Sequence, residues 1–297
     1  MNTRFNKFLI TCDLDGTLLD SEGKLSEKTI QGVKKLVEDG HIFCIVTGRP
    51  IRGALHVYEQ LGLKTLMANY NGAYISNPTD INFTPINMPF SKNIVKAILC
   101  DPYISKNISN AVVEANNEAR LLNDHMDPVI WKSFRDIFHV KMEEGGNLSH
   151  NLENKIENIK DDVNALLLNV DSKSLFDTMV YHIKQIAPTL AVRSWSTSSA
   201  DTVEVIEINS AFADKAMAMR YLSSYYGIPL DRCISFGDGE NDLTMLNQAG
   251  YGFAMKNGTR SAKLMARHIT KHTNQENGVI WELDYVLKEI YERNCIK

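Results

Sequence analysis

The sequence lacks the features that mark membrane, secreted and nucleic-acid-binding proteins. It contains no apolar run of about 18 residues, and the apolar stretch near its start (MNTRFNKFLIT) is too short for a signal peptide. We therefore expect no membrane association and a cytoplasmic location. An excess of one charge is also missing, since the formal net charge is -4 and the pI is near 6.1. This balance argues against a general nucleic-acid binder.

Cysteine is scarce, and no two cysteines form a C-x-x-C pair. The five are Cys12, Cys44, Cys100, Cys233 and Cys295. An odd number cannot all pair, and this usage fits a reducing compartment. Cys12, Cys44 and Cys233 lie in or beside apolar runs, so we expect them to be small core residues. Internal repeats and low-complexity tracts are absent as well.

The composition is that of an ordinary globular protein, with 44% hydrophobic and 23% charged residues. A chain of 297 residues suffices for one large or two moderate domains. Apolar runs at 8–10, 41–46 and 232–236 predict buried strands. Between the first two, Ser26 is a candidate N-cap for an amphipathic helix that ends near Gly40. Strand, helix and parallel strand form a crossover unit, so the pattern predicts an α/β fold.

The first candidate site follows the first strand, in the segment FLITCDLDGTLLD at 8–20. Residues two apart on a strand face the same side, so Asp13 and Asp15 are predicted to point into one site. Two neighbouring carboxylates repel, and a bound cation is a natural reason to keep both ionised. A calcium loop of the EF-hand type is excluded, because its sixth and twelfth positions would be Leu18 and Lys24.

Two further strand ends carry polar residues. Thr47 and Gly48 follow the second strand, where a hydroxyl and a glycine can hold a phosphate oxygen. The strand at 232–236 leads into the Gly-rich acidic segment GDGEND at 237–242. Ligands of parallel sheets gather at the carboxyl ends of the strands, so we expect these segments to meet. EF-hand spacing fails again, because the twelfth residue from Asp238 is Ala249.

The pattern in the middle of the chain predicts an inserted domain at 86–208, in which helices alternate with strands. Helices are predicted at 91–100, 127–138, 149–159 and 172–187. Strands are predicted at 109–122, 138–143, 163–170, 189–195 and 202–208. A further helix is predicted to begin at Phe212, and it carries Lys215.

Four motifs in order resemble those of the haloacid dehalogenase (HAD) superfamily of phosphotransferases. They are DLDGT at 13–17, the Thr47–Gly48 pair, Lys215 and GDGEND at 237–242. The triplet NGA at 71–73 is typical of the Cof-type branch, although it is equally read as a simple Asn-Gly turn. One departure is Ala216, where that branch usually has Gly after the Lys.

The resemblance implies a fold and a set of roles. It implies an α/β, Rossmann-like, doubly wound parallel-sheet core at 1–85 and 209–297, with 86–208 as an inserted α+β cap that sets substrate specificity. Asp13 is the implied nucleophile and Asp15 the general acid and base, while Thr17 braces the loop. The implied Mg²⁺ ligands are Asp13, Asp15 through its backbone carbonyl, Asp238 and Asp242. Asp242 would contact the metal directly or through water, or would instead orient Lys215. The implied phosphate-binding residues are Thr47, Gly48, Lys215 and Asn241.

The implied activity is Mg²⁺-dependent hydrolysis of small phosphate monoesters, either sugar phosphates or phosphorylated cofactors, through an aspartyl-phosphate. Two alternatives stay open. A phosphomannomutase-like phosphotransferase would retain the phosphoryl group and respond to a bisphosphorylated sugar. A non-catalytic phosphometabolite-binding protein would bind tightly without turnover. The sequence sets no oligomeric state.

Overall fold

The computed structural model describes residues 7–121, 156–170, 172–196 and 204–295. The chain divides into two compact units. Unit 1 comprises Met1–Gly48, Ala54–Ile86 and Asp214–Lys297, and unit 2 comprises Arg49–Gly53 and Asn87–Ala213.

The strands and helices of the described residues are numbered in chain order. The strands are β1 (Leu9–Cys12), β2 (Ile42–Ile45), β3 (Met67–Asn69), β4 (Tyr74–Ser76), β5 (Ile86–Asn87), β6 (Asn110–Ala115), β7 (Glu118–Leu121), β8 (Ala165–Val170), β9 (Ala191–Ser196), β10 (Glu204–Asn209), β11 (Cys233–Gly237), β12 (Tyr251–Ala254) and β13 (His268–Ile269). The helices are α1 (Glu27–Glu38), α2 (Ile51–Gln60), α3 (Lys92–Cys100), α4 (Pro102–Asn107), α5 (Phe176–Ile186), α6 (Lys215–Tyr226), α7 (Leu243–Gln248), α8 (Arg260–Met265) and α9 (Gly278–Cys295). None of these helices combines the length and the apolar character needed to cross a bilayer.

Unit 1 is built on a five-stranded parallel sheet with the order β13-β12-β11-β1-β2. Strand β1 lies between β11 and β2 and is buried along its whole length, with Leu9 opposite Cys233 on one side and Ile42 on the other. Continuous apolar strands of this kind are expected where helices cover both faces of a parallel sheet. The predicted α/β class is thereby confirmed.

Local signals in unit 1 behave as the sequence predicts. The Ser26 side chain accepts a hydrogen bond from the backbone N–H of Thr29 and so caps α1. Strands β3 and β4 form an antiparallel hairpin, and the Asn-Gly pair at 71–72 lies in its turn. Cys12, Cys44 and Cys233 are buried and unpaired, as predicted for core residues.

Unit 2 has a five-stranded antiparallel sheet with the order β7-β6-β8-β10-β9. One face of it packs against α3, α4 and α5 in a separate apolar core, to which Val113, Leu166, Leu168, Ile206 and Ile208 contribute. An antiparallel sheet with helices on one side is the α+β arrangement predicted for the insert.

Several element predictions need correction or fall outside the description. The single strand predicted at 109–122 is wrong, because Asn116 and Asn117 adopt positive φ angles and turn the chain into the β6–β7 hairpin. Helix α4 was not predicted; Asp101 caps it with two hydrogen bonds and Pro102 begins it. The helix predicted from Phe212 begins three residues later, at Lys215, because Asp214 is its N-cap. The helix at 127–138, the strand at 138–143 and most of the helix at 149–159 lie outside the described residues.

Candidate active site

Neighbouring strands of unit 1 place the predicted polar residues at one edge of the sheet. Asp13 follows β1, Thr47 follows β2, and Asp238 follows β11. Strand β1 lies between the other two, and the backbone N–H of Asp13 donates to the carbonyl of Phe236 at 3.1 Å. The parallel register therefore brings together segments that are more than 200 residues apart in the chain.

The loop after β1 closes directly onto Asp238. Gly16 has a φ of 67°, and a Cβ at this position would lie 2.3 Å from Oδ2 of Asp238. Only glycine combines that backbone conformation with so close an approach. The Thr17 hydroxyl donates to Oδ1 of Asp238 at 3.2 Å, so Thr17 links the loop to the acidic segment.

Lys215 lies at the centre of the carboxylates. Its side chain is completely buried, and its Nζ lies 2.8 Å from Oδ1 of Asp13 and 2.7 Å from Oδ1 of Asp242. Burial lowers the pKa of the Lys215 ammonium, but the attraction of Asp13 and Asp242 outweighs this effect and leaves the pKa above its ordinary value. Lys215 is therefore charged at neutral pH.

Asp242 uses both of its oxygens within the protein. Oδ1 accepts from Lys215, and Oδ2 accepts the backbone N–H groups of Asp238 and Gly239, each at 3.0 Å. This carboxylate is completely buried. It consequently holds both the lysine and the loop that carries Asp238, as expected of a residue that orients its neighbours.

The acidic side chains of Asp13, Asp238 and Asp242 have the donor set of a divalent-cation site. One carboxylate oxygen from each lies within 4.8 Å of the others. The three ionised carboxylates and the ammonium of Lys215 together carry a formal charge of -2. One divalent cation would neutralise this charge. Hard oxygen donors suit Mg²⁺.

Burial and the excess of negative charge also affect the pKa values of these carboxyl groups. Burial raises the pKa of Asp238 to about 6, and the neighbouring Asp242 adds to the effect. Burial also raises the pKa of Asp13, because it outweighs the attraction of Lys215. Asp15 differs from both, since its side chain is exposed and lies outside the three-carboxylate group.

The remaining predicted residues lie on the loops around this cluster. Thr47 is buried, and its backbone N–H donates to the carbonyl of Ala68 at 2.9 Å. Gly48 follows it on the same loop, and Asn241 lies half-buried in the acidic segment. The Asn241 side chain donates through Nδ2 to Oδ1 of Asn71 at 2.9 Å.

Sequence reasoning assigned no site role to Asn71 or Asn257, which both contact the predicted loops. Asn257 donates through Nδ2 to the carbonyl of Gly16 at 2.7 Å, and its Oδ1 accepts the backbone N–H of Asn274 at 3.0 Å. The available signal for Asn71 was the NGA triplet, which a plain turn explains equally well. For Asn257 the signal was its place after 249–255, a segment that resembles the next strand and loop of the HAD superfamily.

Comparison with known proteins identifies the group to which these features belong. The family model of haloacid dehalogenase-like hydrolases matches residues 10–283. A 5-amino-6-(5-phospho-D-ribitylamino)uracil phosphatase of Bacillus subtilis, YitU, is 33% identical over 272 residues, which cover 92% of this chain and 94% of that protein. A haloacid dehalogenase-like hydrolase from Bacteroides thetaiotaomicron has a similar structure, with a TM-score of 0.76 at 23% identity over 94% of this chain and 99% of that one. A structure from Thermotoga maritima gives a TM-score of 0.71 at 26% identity over 95% and 97%.

Proposed function

The chain belongs to the haloacid dehalogenase-like hydrolases, and from this premise we propose that it hydrolyses small phosphate monoesters in a Mg²⁺-dependent reaction through an aspartyl-phosphate on Asp13. The observation that carries the proposal is the buried contact of Lys215 with Asp13 and Asp242, beside Asp238. A carboxylate nucleophile attacks an anionic ester only where positive charge offsets the repulsion. Lys215 supplies one positive charge, and a divalent cation would supply the two positive charges that are still needed to neutralise the three carboxylates.

The donor set supports Mg²⁺ as that cation. Asp13 and Asp238 would hold it through side-chain oxygens, together with the backbone carbonyl of Asp15. When bound, Mg²⁺ supplies Lewis-acid stabilisation of the phosphoryl oxygens and neutralises the carboxylates around it. Asp242 orients Lys215 and the loop that carries Asp238, since both of its oxygens accept hydrogen bonds from Lys215 and from the backbone of that loop.

Asp13 and Asp15 then have different roles in the reaction, Asp13 as nucleophile and Asp15 as general acid and base. Asp13 attacks phosphorus while its oxygen is oriented by Lys215, and the bond to the leaving alcohol breaks. Asp15, exposed and outside the three-carboxylate group, protonates that alcohol and afterwards accepts a proton from the water that cleaves the aspartyl-phosphate. The first step consumes no water, whereas the second consumes one water, releases inorganic phosphate and returns Asp13 as a carboxylate.

Backbone and side-chain donors around the cluster hold the transferred group. The hydroxyl of Thr47, the N–H of Gly48, the ammonium of Lys215 and the carboxamide of Asn241 bind the phosphoryl oxygens. Fixed dipoles aimed at developing charge are the main source of stabilisation in such reactions. The inserted domain, residues 86–208, selects the leaving alcohol, which we assign to the class of sugar and polyol phosphates and phosphorylated cofactors.

A panel of phosphate monoesters tests the proposal. It contains 5-amino-6-(5-phospho-D-ribitylamino)uracil, chosen from the name of the Bacillus subtilis relative, together with hexose, pentose and polyol phosphates. Phosphate release is measured with Mg²⁺ and with a chelator. We expect release from at least one ester, lost on chelation.

Two results would contradict the proposal. Phosphoryl transfer that requires a bisphosphorylated sugar, without net phosphate release, would indicate a mutase. Saturable binding of an ester without turnover under any condition would indicate a phosphometabolite-binding protein.

A further inference from the structure

The turn between β3 and β4 carries unusual backbone conformations. Tyr70 has a φ of 49° and Asn71 a φ of 55°, both in the left-handed region that L-residues seldom adopt. Asn tolerates this region better than most residues, whereas an aromatic residue rarely occupies it. Both residues are buried, so the turn is held by its surroundings and not by solvent. Strained backbone of this kind is frequent at functional sites.

Asn71 joins the loop after β2 to the loop after β11. Its backbone N–H donates to the carbonyl of Thr47 at 2.9 Å, and its Oδ1 accepts from Nδ2 of Asn241 at 2.9 Å. A Cβ at Gly48 would lie 3.2 Å from Oδ1 of Asn71, so the carboxamide also lies against that glycine. With 1% exposure, Asn71 makes these contacts in the interior of unit 1.

The other side of the turn packs against the start of α6. Gly72 has a φ of 96°, and a Cβ there would lie 2.8 Å from the carbonyl oxygen of Asp214 and 3.0 Å from Cβ of Ala218. The residue after Asp214 is Lys215. The turn thus contacts all three segments that carry the phosphate-binding residues.

We propose that Asn71 is a positioning residue for the phosphoryl group, acting through Asn241. This inference rests on the proposed function, in which Asn241 binds a phosphoryl oxygen. A carboxamide has a nitrogen that attracts phosphate oxygens and an oxygen that repels them. Because Oδ1 of Asn71 accepts from Nδ2 of Asn241, it selects the orientation in which one N–H is held and the second N–H of the same nitrogen is left for the phosphoryl oxygen. In the flipped orientation two carbonyl oxygens would face each other.

A double-mutant cycle between the two asparagines tests the proposal. Asn71→Gly deletes the side chain and still permits the left-handed backbone. We measure kcat/KM for phosphate release by the wild type, Asn71→Gly, Asn241→Ala and the double variant. We expect each single variant to lose about 10-fold to 100-fold, the range for a hydrogen bond to a charged group, and the double variant to be no worse than Asn241→Ala alone.

The control is Asn277→Gly, which makes the same change at another unit 1 asparagine with a φ of 60°. It lies outside the phosphate-binding loops, and we expect its kcat/KM to stay within about twofold of the wild type. Multiplicative losses in the double variant, or an unchanged kcat/KM in Asn71→Gly, would overturn the proposal. If Asn71→Gly does not fold, Asn71→Ala replaces it in the cycle, because it also removes the oxygen that accepts from Asn241 while it keeps a Cβ in the buried turn. Absence of coupling in that cycle would overturn the proposal equally.

Binding of inorganic phosphate separates this inference from the proposed function. The affinity of the four proteins for phosphate is measured by calorimetry in the presence of Mg²⁺, without any turnover. If no ester is hydrolysed, the proposed function fails, and coupled losses of phosphate affinity in the cycle still support the role of Asn71. If esters are hydrolysed and phosphate affinity is lost additively, the role of Asn71 fails alone.

Discussion

Lys215 is the residue on which the buried charges of unit 1 depend. It is completely buried between Asp13 and Asp242, with both distances below 3 Å. Removing one partner of a buried ion pair leaves an uncompensated charge, which typically costs about 3–5 kcal/mol. Lys215 is the first residue of α6, a position that the helix dipole disfavours for a cation. The two carboxylates that explain this position could not be inferred from the local sequence.

We expect Lys215→Met to abolish phosphate release and to lower the free energy of unfolding by about 3–5 kcal/mol at neutral pH. Protonation relieves repulsion among Asp13, Asp238 and Asp242, so the deficit relative to the wild type should shrink as the pH falls from about 8 to 5. Denaturant unfolding at several pH values measures this. Lys288→Met, at a lysine whose side chain is 75% exposed, is the control. A deficit that is small or independent of pH would contradict the account.

The raised pKa of Asp238 predicts how metal binding depends on pH. Burial raises this pKa to about 6 in the metal-free protein, so a divalent cation must displace a proton below that value. We expect the affinity for Mg²⁺ to fall about tenfold between pH 7 and pH 5 from this group alone. The raised pKa of Asp13 changes the affinity in the same direction. Titration calorimetry in two buffers of different ionisation enthalpy detects the released proton, and an affinity that is constant over this range would contradict the assignment.

At the scale of elements, the sequence predicted best what local patterns control. The buried strands β1, β2 and β11 were recognisable because continuous apolar runs end in Asp, Thr and Gly-Asp, and α1 because Ser26 caps it. The strand predicted at 109–122 was wrong because a strand and a hairpin share the same β-forming composition, and the turn depends on two Asn residues without a Gly. Long-range contacts were beyond any local pattern. Asn71 and Asn241 are 170 residues apart, and neither segment contains a pattern that predicts their contact.

Helix α6 depends on Asp214 for both its stability and the placement of Lys215. Oδ1 of Asp214 accepts the backbone N–H of Ala216 at 2.6 Å and the hydroxyl of Thr244 at 2.9 Å. We expect Asp214→Ala to cost about 0.5–2 kcal/mol of stability and to lower kcat, because the first turn of α6 positions Lys215, which we propose binds the phosphoryl group. Ser26→Ala removes the cap of α1 and serves as control, with a similar loss of stability and an unchanged kcat. Equal kcat values for both variants would contradict this role of Asp214.

At the scale of the whole molecule, the two units have separate apolar cores, and the candidate metal ligands all belong to unit 1. A ligand that binds only the native state stabilises it by about 2.7 kcal/mol at 100 times its dissociation constant. We therefore expect Mg²⁺ to slow amide hydrogen exchange in β1 and β11 much more than in β8 and β10. Hydrogen exchange with mass spectrometry measures this strand by strand, and equal protection of both sheets would contradict the assignment of the metal to unit 1.

The central claim is that Asp13 attacks the phosphate ester in a reaction that requires a divalent cation. The most direct measurement is phosphate release from the best ester by the wild type and by Asp13→Asn, with Mg²⁺ and with a chelator. Asp284→Asn, at an exposed aspartate of unit 1, is the matched control. We predict that chelation abolishes release by the wild type, that Asp13→Asn lowers it at least about 10³-fold although it stays folded, and that the control keeps wild-type activity. Release by Asp13→Asn at the rate of the control would contradict the account.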